Sequence, residues 1–146
     1  MQFFKQKNII GYSINETINS LFIVASYIII FYLIGELLDS LNVFKFLSYI
    51  INSILKIIHI NNKYTTGLIY GILEVTRGAK TLSIINDSIS VIIATGILSF
   101  SGLSIIFQSM AFLKQAKIKT HTFVFSKCVH SLLSMLLCFV FLKFLF

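Results

Sequence analysis

The stretch GILEVTRGAK, residues 71 to 80, places two opposite charges inside a very hydrophobic part of the chain. It contains Glu74 and Arg77, and Arg77 is the only arginine of the protein. A charge that faces lipid near the middle of a membrane costs about 2.5–3.5 kcal/mol on insertion scales. The main question that the sequence raises is therefore what surrounds these two side chains.

The composition of the whole chain is that of an integral membrane protein. The 146 residues are 57% hydrophobic and 12% charged, whereas soluble domains are about 45–50% apolar and about 25% charged. The formal net charge is +7, but the lysines punctuate apolar runs as loop charges do, and they form no basic domain. We therefore expect the lipid bilayer, and not nucleic acid, as a partner.

The glycines on both sides of the two charges predict a helical hairpin. Gly67, Gly71 and Gly78 interrupt residues 63–84, which makes this segment too broken for an ordinary span. A re-entrant hairpin of two half-helices would accommodate the glycines and would keep the charges against protein or water. Its tip is expected between residues 73 and 78.

A second interruption is predicted further along the chain. Residues 87–113 are long enough to cross a membrane, but they contain SFSGLS, residues 99–104, near their middle. Glycine permits non-helical backbone, and serine hydroxyls can bond the backbone groups that a break sets free. We expect a broken transmembrane helix, and close helix packing through Ser99 and Gly102 is the alternative.

The remaining segments complete the predicted architecture. Residues 1–40 form an N-terminal segment with the first transmembrane helix, and residues 121–145 form the last one. Residues 43–60 carry a polar stripe with lysines, which favours an amphipathic helix in the interface; a tilted span with its polar face against a partner is the alternative. The basic loop 114–119 is expected to be cytoplasmic. At the junction between the hairpin and the broken helix, Asn86 or Asp87 is expected to be the N-cap of the broken helix.

The expected fold class is therefore an all-α integral membrane protein. It has about three crossing helices, one of them broken mid-membrane, together with an amphipathic interfacial helix and a re-entrant helical hairpin. The hairpin contains no second carboxylate for acid–base catalysis, and no His-Cys-carboxylate cluster has metal-ligand spacing. We expect neither an enzyme nor a metal site.

This order of elements resembles one repeat of the Gate, or nucleoside-recognition, superfamily, which is related to concentrative nucleoside transporters. GILEVTRGAK followed by ILSFSGLSIIFQSMAFL, a basic loop and HSLLSMLL is most similar to the C-terminal half of the sporulation integral membrane protein family. The resemblance covers about residues 41–146. Related proteins carry two inverted repeats with the solute between them, so the resemblance implies that another chain or a second copy supplies the other repeat.

The resemblance also implies a solute- or ion-binding site. Glu74 resembles the hairpin-tip carboxylate that nucleoside transporters direct at their solute, and Gln108 resembles a glutamine of the sporulation family. Gly102 stands where nucleoside transporters typically have an asparagine. The expected site residues lie at the hairpin tip and in the helix break that faces it across the solute: Glu74, Thr76, Arg77, Ser101, Gly102, Ser104 and Gln108.

Structural alternatives remain open for these residues. Glu74 and Arg77 are three positions apart and can neutralise each other on one helix face. The small residues Ser101, Gly102 and Ser104 suit close packing. An interhelical hydrogen bond is the alternative for the glutamine.

The expected function is transport of a small polar or anionic solute across the cell membrane by this chain or by a pair of such halves. The resemblance adds sporulation, a forespore membrane as one location, and H+ or Na+ as a coupling ion, with no other cofactor. For an anionic solute, Arg77, Lys80 and helix N-termini would provide the attraction. The alternatives are a non-transporting membrane component needed for spore-envelope assembly and a truncated, inactive fragment.

Overall fold

The computed structural model describes residues 2–145, and every regular element in this range is helical. In chain order the elements are α1 (Gln2–Ser40), α2 (Val43–Ile57), a 3-10 turn (Asn62–Tyr64), α3 (Thr65–Leu73), α4 (Val75–Ser83), α5 (Ser88–Phe100), α6 (Gly102–Gln115) and α7 (Thr120–Leu145). Three stretches are long and apolar enough to cross a membrane, namely Ile9–Ser40, Ser88–Met110 and Thr120–Phe144. The all-helical prediction is confirmed, and the number of potential crossing helices agrees with it.

The first helix is longer than its apolar part alone requires. Its apolar run starts near Thr17, but the helix starts at Gln2 and the stretch able to cross a membrane starts at Ile9. Its hydroxyl side chains bond backwards within the helix: Thr17 donates to the Ser13 carbonyl at 2.8 Å. Polar side chains that bond their own helix in this way do not interrupt it, and the chain has no proline to end it.

Helices α3 and α4 pack against each other as an antiparallel hairpin. A Cβ added to Gly78 would lie 2.2 Å from the Cα of Gly71, and one added to Gly67 would lie 2.6 Å from Cγ of Leu82. Residues early in α3 thus face residues late in α4, and glycine is needed where the two backbones meet. Each arm has nine residues, or about 13–14 Å of helix, which is about half of a ~30 Å hydrocarbon layer.

The α5–α6 span is interrupted inside SFSGLS. Ser101 has φ of 79° and Gly102 has φ of 66°, so two consecutive residues leave the helical region. The last turn of α5 ends at Phe100, and α6 begins at Gly102. The predicted helix break is therefore present in the backbone.

Helix α5 lies between the hairpin and α7 and holds both through close contacts. Ile97 packs tightly on Gly71: a Cβ added to Gly71 would lie 2.5 Å from Cδ1 of Ile97. On the other side, Gly96 lies against Met135, and the Ser131 hydroxyl donates to the Gly96 carbonyl at 2.8 Å. These contacts place the break of α5–α6 beside the hairpin tip.

Helix α2 turns part of its polar stripe toward the protein. Asn52 accepts a hydrogen bond from the hydroxyl of Thr65 at the start of α3. Phe44 and Leu55 of α2 are buried. On another side of the helix an exposed apolar stripe is formed by Phe46, Ile50, Ile54 and Ile57. One polar side chain of α2 thus contacts another helix, and the exposed apolar stripe is free to face lipid.

Asp87 joins the two ends of the hairpin and caps α5. Its carboxylate accepts from the Lys63 ammonium at 2.6 Å, the Tyr64 hydroxyl at 2.7 Å and the Ser90 N–H at 2.7 Å. The bond from Lys63, followed by those from Ser90 and Tyr64, holds the pKa of the Asp87 carboxyl well below its usual value. The predicted N-cap at this junction is confirmed, with Asp87 as the capping residue.

Replacing Asp87 by Asn should lower the melting temperature at neutral pH by a few degrees. Asn still offers a capping oxygen, so the change removes mainly the charge and its bond to Lys63. Because the folded-state pKa lies below the unfolded value of about 3.9, the charge stabilises the protein above that value and the benefit is lost as the pH falls through the folded pKa. The wild type should therefore lose stability on acidification below about pH 4, and D87N should lose less.

The measurement is the temperature at which half of the detergent-purified protein leaves the monodisperse size-exclusion peak, recorded as a function of pH. Glu16→Gln is the matched control, since Glu16 is an exposed acid on α1. It should follow the wild type. Equal acid sensitivity of D87N and the wild type would contradict the role given to this carboxylate.

Candidate functional site

The structure brings the hairpin tip and the helix break into direct backbone contact. A Cβ added to Gly102 would lie 3.0 Å from the carbonyl oxygen of Gly71 and 3.3 Å from the backbone nitrogen of Val75. The two interruptions predicted from the sequence are therefore neighbours. The expected gap for a solute between them is absent at Gly102, because backbone atoms already fill that space.

Glu74 forms the turn of the hairpin and caps α4 with its own side chain. Its backbone is extended, with φ of −141° and ψ of 117°, and the residue is 2% exposed. The carboxylate accepts from the Thr76 N–H at 3.0 Å, the Thr76 hydroxyl at 2.5 Å and the Arg77 N–H at 2.8 Å. Three hydrogen bonds thus tie the Glu74 carboxyl group to the amino end of α4.

A carboxylate offers about four acceptor positions, so the three bonds leave Glu74 able to accept one more. Thr76, a predicted site residue, serves here to hold the carboxylate.

The sequence alternative in which Glu74 and Arg77 neutralise each other is wrong. The carboxylate turns to backbone N–H groups of α4, and the guanidinium binds another helix.

Arg77 connects the hairpin to α1. Its Nη2 lies 2.7 Å from Oε1 of Glu36, and its guanidinium carbon lies 3.6 Å from the ring centre of Tyr70 and 4.8 Å from that of Tyr32. Nη1 is buried without a hydrogen-bond partner, and Gly35 allows α1 to approach it. An arginine between two aromatic faces with a single carboxylate partner is a firmly held cation that still has donors to offer.

A cavity of about 400 Å³ opens beside Arg77. This volume falls in the range of about 300–1,000 Å³ that is usual for small-ligand sites. Two cations and several hydroxyl groups line it, and the full lining is Tyr32, Tyr70, Thr76, Arg77, Lys80, Thr81 and Ile84. The cavity lies on the face of the hairpin toward α1, and no residue of the helix break is part of its lining.

Ser104 and Gln108 are four residues apart on α6 and share one helix face. Ser104 is 1% exposed. Within the described part of the chain, neither its hydroxyl nor the buried Oε1 of Gln108 has a hydrogen-bond partner. A buried polar atom without a partner costs about 1–3 kcal/mol. Neither side chain is among those that line the cavity beside Arg77, so these two predicted site residues form a separate polar spot.

Lys127 is a residue of this region that sequence reasoning missed. Its ammonium donates to the hydroxyl of Ser101 at 2.8 Å, and Ser101 is 7% exposed. In the sequence, Lys127 is only a polar feature of the last span. A lysine inside an apolar helix does indicate that a partner exists, but nothing in the sequence says which residue it is.

Among the residues that the structure describes, no group of three or more His, Cys, Asp or Glu side chains is placed to hold a metal ion. Comparison of the chain with protein-family models, with curated proteins and with solved structures gave no match. The functional assignment therefore rests on the sequence patterns and on this geometry.

The choice of partner by Arg77 can be tested with double mutants. Glu36→Gln and Arg77→Gln should each lower the melting temperature, because each leaves the other charge without its partner. The double variant should be less destabilised than the sum of the two, as expected for residues in contact. The measurement is thermal stability of the detergent-purified variants.

Glu74→Gln combined with Arg77→Gln provides the matched comparison. Its coupling energy should be smaller than that of the Glu36 pair, since the Arg77 guanidinium bonds the Glu36 carboxylate and not that of Glu74. The opposite result would contradict the assignment of the ion pair. In that case the melting-temperature changes of Glu36→Gln and Arg77→Gln would add in the double variant, while those of Glu74→Gln and Arg77→Gln would not.

Proposed function

We propose that this chain is a transporter-type membrane unit, or half of one, that moves a small polar or anionic solute past the hairpin. The observation that carries the proposal is the direct contact of two helix interruptions within an otherwise apolar helical protein. Irregular backbone at membrane depth is tolerated only where protein or a water-filled cavity surrounds it. Carriers built from broken helices use such places for their solutes and ions.

The ends of the hairpin support its placement as a re-entrant element. Lys63 precedes α3 and Asp87 follows α4, and Nζ of Lys63 lies 2.6 Å from Oδ2 of Asp87. The chain therefore enters and leaves the hairpin at the same level. The arms are each about half as long as a membrane is thick. A hairpin of this shape reaches the middle of the bilayer and returns, which brings Glu74 and Arg77 to mid-membrane depth within protein.

The charges around the cavity favour an anionic solute. Arg77 and Lys80 line it. Among the described side chains, the one carboxylate that forms a salt bridge with Arg77 is that of Glu36, which is half-exposed and bonds Nη2. A solute carboxylate can form two parallel bonds with a guanidinium. We infer that the solute competes with Glu36 for Arg77.

This exchange would couple binding to movement. The pair between Arg77 and Glu36 joins the hairpin to α1, so a solute that takes the place of Glu36 loosens one of the contacts between these two elements. Movement of the hairpin unit against its surroundings is the general basis of alternating access in such carriers. Glu74 stays with α4 throughout and keeps the tip in shape, with one acceptor position available for a proton or a solute hydrogen.

A second copy or a related chain completes the unit in this proposal. Ser104 and Gln108 have buried polar atoms without partners, and α1 and α7 expose many large apolar side chains. Lipid can cover the apolar faces, whereas the polar atoms need a partner with hydrogen-bonding groups. The cell membrane is the proposed location, and a role in sporulation or in a forespore membrane is supported by the sequence resemblance alone.

Uptake into proteoliposomes tests the function. The purified chain should accumulate a labelled small dicarboxylate such as succinate above the level of protein-free vesicles, and it should do so better than a labelled nucleoside such as uridine. Arg77→Gln should reduce dicarboxylate uptake at least about tenfold, the effect of losing ~1.4 kcal/mol of binding. Glu74→Gln should also reduce uptake, because it replaces one of the two carboxyl oxygens that hold the hairpin tip by hydrogen bonds to Thr76 and Arg77.

Lys143→Gln is the matched control, since Lys143 is an exposed lysine near the far end of α7; its uptake should equal that of the wild type. Nucleoside uptake without dicarboxylate uptake would overturn the anionic preference and retain the carrier. No uptake of either solute by correctly inserted protein would favour a non-transporting component or an inactive fragment. Unchanged uptake by both Arg77→Gln and Glu74→Gln would show that the site lies elsewhere.

A further inference from the structure

Lys127 lies inside the last candidate span and reaches the helix break. The span runs from Thr120 to Phe144, and the Lys127 ammonium donates to the Ser101 hydroxyl at 2.8 Å. The ring centre of Phe123 lies 5.7 Å from the ammonium. Neither of the two salt bridges formed by the described side chains includes Lys127. A group other than a carboxylate therefore holds this charge within an apolar helix.

That group is the hydroxyl of Ser101, the residue that follows the carboxyl end of a half-helix. Helix α5 ends at Phe100, and the positive φ of Ser101 and Gly102 turns the chain away from the helical path. The Ile97 carbonyl accepts from the Ser101 N–H at 2.9 Å, and the Ser99 carbonyl accepts from the Ser101 hydroxyl at 3.5 Å. These carbonyl groups belong to the last turn of α5 and lie at its carboxyl end. These carbonyls and the aligned peptide dipoles carry partial negative charge, and Ser101 presents its hydroxyl oxygen at the same place.

Carbonyl and hydroxyl oxygens at the carboxyl end of a half-helix are also the ligands with which broken-helix carriers bind Na+. We propose that Lys127 is the built-in cation of this break and that its ammonium takes the place of a bound Na+. The protein then requires no Na+ to hold the break in shape. The consequence for coupling rests on the proposed transport function, whereas the occupancy of the break by the ammonium does not.

A side chain differs from a free ion in one respect that matters for function. It cannot leave the protein, so the positive charge beside the break persists whether or not solute is bound. A carrier arranged in this way is independent of a Na+ gradient. Of the two coupling ions that the sequence resemblance implies, this leaves H+.

The test is the salt dependence of thermal stability in purified protein with Lys127→Ala, which empties the cation position. Wild type and Lys143→Ala should melt at the same temperature in NaCl and in choline chloride of equal ionic strength. Lys127→Ala should melt several degrees lower than wild type in choline chloride and should regain most of that loss in NaCl, in a saturable manner. A small alkylammonium ion, n-propylammonium, should restore it as well.

Lys127→Arg keeps a positive charge and should remain independent of Na+, which separates the loss of charge from the loss of packing. If the Lys127→Ala protein can be purified with NaCl or n-propylammonium but not with choline chloride, the result supports the proposal. If it can be purified with none of these three salts, the proposal is overturned. A Na+-specific rise in the wild-type melting temperature, or a Lys127→Ala protein that melts equally low in all three salts, also overturns it. The assay needs no solute and no transport, so failure of the proposed function leaves its outcome unaffected.

Discussion

The contact of Gly102 with the hairpin tip is the constraint on which the rest of the structure depends. A side chain there would meet the carbonyl of Gly71 at 3.0 Å, and the positive φ of 66° is one that residues with a Cβ rarely adopt. This contact sets the tip of α3–α4 against the middle of the α5–α6 span. Glu74 is thereby buried at the tip, and Ser101 is presented to α7.

Around this contact three charged or ionisable side chains are held in different ways, and Glu74 is the most deeply buried of them. Glu74 uses the N–H groups of α4, Arg77 uses a carboxylate and aromatic rings of other helices, and Lys127 uses a serine at a helix end. The arginine lines a cavity of about 400 Å³. In the proposed carrier these residues have different roles. Glu74 and Lys127 stabilise the hairpin tip and the helix break, and Arg77 binds the solute.

The sequence predicted the interruptions better than it predicted the partners. Breaks at the hairpin and in SFSGLS follow from local composition, because glycine and serine permit and stabilise non-helical backbone, and the cap at Asp87 is equally local. The partner of Arg77 could not be found in this way. Glu74 is nearest in sequence, but the extended residue at the turn points its carboxylate along α4, and Glu36 arrives on a separate helix. The bond between Lys127 and Ser101 likewise depends on tertiary packing.

The central claim is that the hairpin enters and leaves the membrane on one side and meets the break inside it. The most direct measurement is labelling of single cysteines by a membrane-impermeant maleimide in intact cells, after Cys128 and Cys138 are replaced by alanine. The new cysteines are placed at exposed positions before the hairpin, after it and in the basic loop: Asn62→Cys, Ile84→Cys and Lys119→Cys. The account predicts that the first two are labelled from the same side and the third from the opposite side. Labelling of the first two from opposite sides would show that the segment crosses the membrane and would contradict it.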